Sequence, residues 1–320
     1  MSAVNESKFQ PAVFILTGIP GQENIQVWIS IPFCLIYVIS ILGNSVILFI
    51  IKTDPNLQEP MYILLSMLAV LDLGISMSTL PTILGIFWFN SREINHDACF
   101  AQLFFIHSLT YTESSVLLSM AFDRLIAICN PLRYSSILTP SRIAKIGLLS
   151  LLRGALPLIP SLIFLKHYQY CHANILYHSY CLNQEVMKMA CSDTRAHSIY
   201  SFFGTISSLG LDVLLILLSY VMIFKTVLSI ASHMERLKAL NTCVSHVCVV
   251  LLFYTPEIGL SVIHRFAKNT SPFIQTMMGN TYLLIPPLMN PIVVKTKPIR
   301  SVHHPAGDTG DDLLMGINRF

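Results

Sequence analysis

Charge is what this chain has least of. Of 320 residues, 20 are Lys or Arg and 17 are Asp or Glu, 12% in all, against about 25% in an ordinary soluble domain. So few charged side chains cannot clothe a water-facing surface, which excludes a soluble globular enzyme. The net charge of +3 is dispersed along the chain rather than gathered into a patch, and that excludes nucleic-acid binding. Neither an HExxH nor a GxSxG pattern occurs, so membrane hydrolase chemistry has no carrier. The first 26 residues lack a long apolar run behind a basic start. Phe14-Ile15-Leu16 is only a short patch bounded by Thr17, Gly18 and Pro20, so no cleavable signal peptide is expected. The two halves of the chain show no mutual similarity, which argues against a transporter built on inverted repeats.

Apolar residues are abundant, at 53% of the chain, and they fall into seven long runs. Residues 27–51 and 273–294 carry no charge; 61–89 carry only Asp72, 98–122 only Glu113, 146–165 only Arg153, 199–224 only Asp212 and 244–263 only Glu257. Each is long enough to cross a hydrocarbon core as a helix, which needs about 20 residues. Continuous apolarity, without period-two alternation, excludes barrel strands. The expected fold is an all-α membrane protein, a seven-transmembrane helix bundle. Lys52, Arg133, Arg142, Lys145, Lys225, Arg236, Lys238, Lys295, Lys297 and Arg300 fall on one side of these spans. By the positive-inside rule that side is cytoplasmic, which puts the N-terminus outside and the C-terminus inside. Residues 1–26 then form an extracellular N-terminal segment, 27–294 the bundle and 295–320 a cytoplasmic tail. The glycosylation sequon Asn5-Glu6-Ser7 lies on the outer side, where it is useful. Cys99, Cys171, Cys181 and Cys191 also fall there, and an even number in an oxidising setting favours disulfides, with three pairings open. Cys34, Cys129, Cys243 and Cys248 read as free thiols that pack. A lysine for a retinal Schiff base is absent from 273–294.

Residues 120–134 read Met-Ala-Phe-Asp-Arg-Leu-Ile-Ala-Ile-Cys-Asn-Pro-Leu-Arg-Tyr. This resembles the MAYDRYVAICHPLRY signature of olfactory receptors. The resemblance continues in order through Gly43-Asn44, Pro60-Met61-Tyr62, Leu68-Ala69-Val70-Leu71-Asp72, the helix-six start Lys238-Ala239-Leu240-Asn241-Thr242-Cys243, and Pro286-Pro287-Leu288-Met289-Asn290-Pro291. Phe104–His107, His264-Arg265-Phe266 and the long second outer loop resemble the class I, or fish-like, branch. The resemblance implies a rhodopsin-like G protein-coupled receptor of the plasma membrane, not an enzyme. It implies that a small odorant binds in the outer half of the bundle and that a stimulatory olfactory-type G protein raises cAMP. It also implies the pairings Cys99–Cys181 and Cys171–Cys191, which the cysteine positions alone leave open.

Each ionisable group inside the bilayer needs a partner or a cavity. Asp72, Glu113 and Asn44 offer hard oxygen ligands, and the resemblance suggests a hydrated Na⁺ among them. The alternative is a protonated carboxyl pair bonded to Ser76 and Ser115. Asp123 and Arg124 read as a latch at the G protein face, with Lys238 beside it; the alternative is a snorkelling arginine. On helix six, Glu257, Ser261 and Arg265 recur every four residues and His264 lies seven from Glu257, one inward face above a helix break expected at Pro256. Arg265, with His107, Ser261 and Gln184, reads as a receptor for a carboxylate or similar head, and Phe104, Ile106 and Leu209 as its apolar surround. Alternatively Arg265 snorkels to lipid headgroups or pairs with Glu257. Arg153 has no partner legible in sequence, although Asp212 is a candidate.

Three departures from the family pattern stand out. Val294-Lys295-Thr296-Lys297 directly follows Asn290-Pro291-Ile292-Val293, where the family usually has a tyrosine. The tail from Ser301 is rich in Pro, Gly and Asp, which disfavours an amphipathic surface helix. Phe122, Leu125 and Asn130 replace the usual tyrosines and histidine. The alternative reading is therefore a poorly coupled or non-signalling receptor variant; a small-solute transporter is the rival class. No cofactor other than the possible Na⁺ is expected.

Overall fold

The computed structural model describes residues 12–19, 26–170, 174–230, 232–266 and 271–295. Seven membrane-length helical spans run through them: Gln26–Thr53, Pro60–Phe89, His96–Cys129, Pro140–His167, Arg195–Leu228, His233–Phe266 and Pro272–Lys295. Five of these, all but the third and seventh, are long and apolar enough to cross a membrane on their own composition. The third is the central helix, and its polar residues Thr110, Thr112, Glu113, Ser114 and Ser115 are all buried against neighbours. Large apolar side chains point outward instead, as Trp28, Phe49, Met77, Leu149 and Phe203 do. On a water-soluble protein such a belt would be an aggregation surface; here it is the lipid face.

Local chemistry sets the ends. The Asn95 side chain accepts from the Asp97 amide at 3.0 Å and starts the third span. Thr139 caps the fourth with Pro140 at its first turn, which is where proline's missing N–H costs nothing. The second begins at Pro60 and ends at Asn90, whose φ of 50° closes the helix in the left-handed region that asparagine tolerates. Caps lie beyond the apolar runs, so spans three and four extend further than hydrophobicity alone indicates.

Proline sets only one of the breaks, at Pro157 in the fourth span. The sixth span runs uninterrupted through Pro256, against the expected break, because neighbouring helices and local adjustments satisfy the freed carbonyl inside a membrane bundle. The fourth is instead split into Pro140–Ala155 and Leu158–His167. The fifth is interrupted by a π-turn at Ile206–Gly210, between Arg195–Thr205 and Leu211–Leu228.

The disulfide Cys99–Cys181 has a Cα separation of 5.6 Å and ties the start of the third span to the long loop after the fourth. This end of the bundle, termed outer, also carries a small sheet. Strand β1 (Val13–Leu16) lies between β2 (Glu93–Asn95), to which it is antiparallel, and β3 (Ile175–Leu176), to which it is parallel. Phe14, Leu16 and Ile19 are fully buried in the outer core. The short apolar patch near the N-terminus is therefore a structural strand of the outer cap rather than a separate segment.

Candidate functional site

Below this cap lies a partly open cavity. Its walls come from the third to seventh spans and the Cys181 loop. His107, Ser261 and Glu257 of the spans and Gln184 of the outer loop line it, together with Phe104. His107 Nε2 is buried and has no hydrogen-bond partner among the described residues. Ile106 and Leu209 do not line the cavity: Ile106 packs with Tyr180 and Leu182, Leu209 with Val116 and Phe253. One residue along a helix turns the side chain by about 100°, so Ile106 faces away from the wall that His107 occupies. Leu103, Leu158 and Leu162 supply apolar wall instead. The side chains of His264 and Arg265 lie outside the described residues, as does that of Lys238. Asn5 and Cys171 lie outside them as well. Cys191 is disulfide-bonded, while Cys34, Cys129, Cys243 and Cys248 form no disulfide.

Under the cavity floor, four helices meet in a polar cluster. Arg153 donates to Asp212 Oδ2 at 2.9 Å, to Ser115 Oγ at 2.7 Å and to the Ser208 carbonyl at 2.8 Å. That carbonyl belongs to the π-turn, whose geometry loosens the ordinary helical ladder. Ser114 donates to the other side of the same Asp212 oxygen at 2.6 Å and lies 2.6 Å from the Tyr254 hydroxyl. Arg153 thus has the partner that its sequence position left open, and Tyr254 of the sixth span belongs to the same cluster.

Deeper still, Asn290 Nδ2 donates to Asp72 Oδ2 at 2.8 Å, and Glu113 lies within hydrogen-bonding reach of the same amide. Asn44 donates to the Ser40 and Pro287 carbonyls at 3.1 and 3.0 Å, joining the first span to the seventh. Asp72 Oδ1, Glu113 Oε1, Asn44 Oδ1 and Asn290 Oδ1 are all buried without hydrogen-bond partners. Carboxylate and amide oxygens are the donor chemistry that a hard cation takes. The structure brings Asp72 and Glu113 together as expected, and adds Asn290, which sequence reading assigned only to the helix-seven motif.

At the cytoplasmic-type end, Arg124 pairs with Asp123 at 3.0 Å, both side chains nearly inaccessible. The Tyr134 hydroxyl donates to Asp123 Oδ1 at 2.7 Å, across a 115° bend between His96–Cys129 and Pro131–Ile137. Burial first, then the adjacent Asp123 charge, raises the Tyr134 hydroxyl above the ordinary phenol range, so it remains a donor. The tyrosine closing the signature motif is therefore a second donor to Asp123 beside Arg124.

A central polar helix, an outer disulfide and a cavity bounded by spans three to seven define a rhodopsin-like seven-helix receptor. Squid rhodopsin superposes with a TM-score of 0.70 at 15% identity, over 87% of this chain and 83% of that one. The olfactory receptor family model matches residues 33–305, and the chain belongs to that family, whose members are odorant-detecting G protein-coupled receptors of the plasma membrane. Human olfactory receptor 51G2 is 62% identical over 298 residues, 92% of this chain and 95% of that protein. Human olfactory receptor 51G1 is 57% identical over 302 residues, 94% of each.

Proposed function

We propose that this receptor binds small odorants with a carboxylic-acid-like or similar polar head in the described cavity, and that it raises cAMP through a stimulatory olfactory-type G protein. The observation that carries the reading is the unpartnered, buried His107 Nε2 on a wall shared with Ser261 and Gln184. A buried donor or acceptor without a partner costs about 1–3 kcal/mol, and a polar ligand head would relieve it. Arg265, two to three turns above Glu257 on the same helix, supplies the cation for a carboxylate, with His264 beside it. The N-terminus is outside, and Asp123, Arg124 and Lys238 face the G protein. Na⁺ at Asp72, Glu113 and Asn44, with Asn290, stabilises the resting state. The test is cAMP in cells expressing surface-tagged receptor, against a panel of short carboxylic acids, alcohols and esters. His107→Ala, Ser261→Ala and Arg265→Ala should each weaken the acid responses at least tenfold at equal surface level; unchanged potency in all three sinks the head-group assignment.

A second reading is supported by Val294-Lys295 standing where a helix-seven tyrosine is usual: a receptor that binds ligand but couples poorly. Inserting Tyr-Ser after Val293 would then rescue a silent but surface-expressed chain.

A further inference from the structure

The fourth and fifth spans meet along a seam that borders the cavity, and hydrogen bonds stitch it at three levels. Nearest the outer end, Ser161 Oγ and the buried His197 Nε2 lie 2.7 Å apart. One turn deeper, the Tyr200 hydroxyl donates to the Pro157 carbonyl at 2.7 Å. Deepest, Arg153 donates to the Ser208 carbonyl and to Asp212. Gly204 stands midway between the last two stitches, four residues from both Tyr200 and Ser208 and so about 6 Å along the axis from each. A Cβ placed on Gly204 meets no atom within 4 Å, although Gly204 lines the cavity. The ladder lacks a rung at this point.

Exposure says which way the gap faces. Among the residues lining the cavity, only Pro157 and Tyr200 are exposed, and they are the two edges of this seam. Outside them stand Leu156, Ile163, Ile199 and Phe203, apolar and exposed as the rest of the lipid face is. Toward the outer end the Cys181 loop covers part of the cavity. Leu182 and Asn183 are buried, Gln102 Oε1 holds the Cys181 amide at 2.9 Å, and Cys181 is bonded to Cys99.

We propose that the slot at Gly204 is a lateral portal through which molecules dissolved in the bilayer reach the cavity. The inference rests on reading that cavity as the odorant site, and it adds a class of ligand: apolar or weakly amphiphilic molecules that cross the seam uncharged. Each further methylene raises a solute's concentration in the bilayer by about fourfold, so the membrane presents such ligands to the slot at far higher concentration than water presents them to the outer end. The Tyr200 hydroxyl, bonded to one carbonyl at the exposed edge, is the movable stitch. Gly204 gives the width.

The experiment reads access directly and needs neither signalling nor an identified ligand. In full-length receptor in lipid vesicles, Leu103→Cys places a thiol on the far wall of the cavity, and its modification (thioether with a maleimide, mixed disulfide with a methanethiosulfonate) is followed by mass spectrometry, each rate divided by that reagent's rate with a free thiol in water. Bilayer-soluble N-phenylmaleimide should label Cys at 103 at least tenfold faster than the charged reagent trimethylammonioethyl methanethiosulfonate. Adding Gly204→Phe should slow the apolar reagent about tenfold and leave the charged one unchanged, Gly204→Ala should change little, and Tyr200→Phe should speed the apolar reagent. Native Cys248, exposed on the sixth span, must label at its original rate in every variant, which separates a plugged portal from a misfolded chain. Equal rates for the two reagents, or an unchanged apolar rate in Gly204→Phe with Cys248 normal, overturn the portal. Absent cAMP responses beside intact portal behaviour would instead count against the proposed signalling.

Discussion

Asp123 receives two donors, Arg124 at 3.0 Å and Tyr134 at 2.7 Å, and the resting position of the arginine depends on both. A hydrogen bond to a charged group is worth about 1.5–3 kcal/mol. Tyr134→Phe should therefore weaken the latch by about tenfold or more, read as raised basal nucleotide exchange at equal surface level. The Arg153 cluster responds differently, because its loss leaves Asp212 charged and buried. Arg153→Met should cost about 3–5 kcal/mol, seen as a lower melting temperature and reduced surface expression, and adding Asp212→Asn should recover part of the loss. The charged residues inside the spans were conspicuous in the sequence, since lipid makes each of them expensive. Their pairings were not: Arg153 and Asp212 stand 59 residues apart, and only the packing of helices four and five on the third makes them neighbours. His107 was found through its place on the inward face of helix three. Asn290 was passed over because an amide in a proline-rich motif reads as a backbone device until a carboxylate is seen against it.

Helix contacts depend on small residues at close crossings. At Gly154 an added Cβ would stand 2.4 Å from Thr112 Oγ1 and 2.5 Å from the Ser108 carbonyl. Because backbone cannot yield cheaply there, Gly154→Ala should push the third and fourth spans apart at about 1–3 kcal/mol, measured as a lower melting temperature of the purified receptor in detergent. Gly43 makes a similar approach to Pro291, at the junction that Asn44 reinforces from the first span to the seventh. Span number and order follow from apolar runs alone. The interruptions follow only in part: the fourth span splits at Pro157, whereas Pro256 is accommodated and the π-turn at Ile206–Gly210 has no proline. Strand β1 also escaped sequence reading. Four apolar residues carry no periodicity, and their partners lie about 80 and 160 residues away in the chain.

For the whole molecule, the outer end is held by covalent and topological ties together. Cys99→Ser or Cys181→Ser opens a closure of 82 residues and should cost about 2–5 kcal/mol, with loss of surface expression at 37 °C. The proposed orientation has its own test: a glycosidase-sensitive mass shift that Asn5→Gln abolishes is the outcome for an external N-terminus, and a chain that never acquires the glycan contradicts it. Composition by itself determined that this is a membrane bundle, because a chain with 12% charge and 53% apolar residues has no other place to put its surface. The ordered motifs identified the family, because each sits at a helix end or crossing that admits few residues. Tertiary structure alone decided which buried polar groups meet, where the fourth and fifth spans bend, and that a strand from the N-terminus closes the outer end. Those outcomes depend on contacts between residues tens to hundreds of positions apart, and the energy of such contacts exists only once the helices are packed.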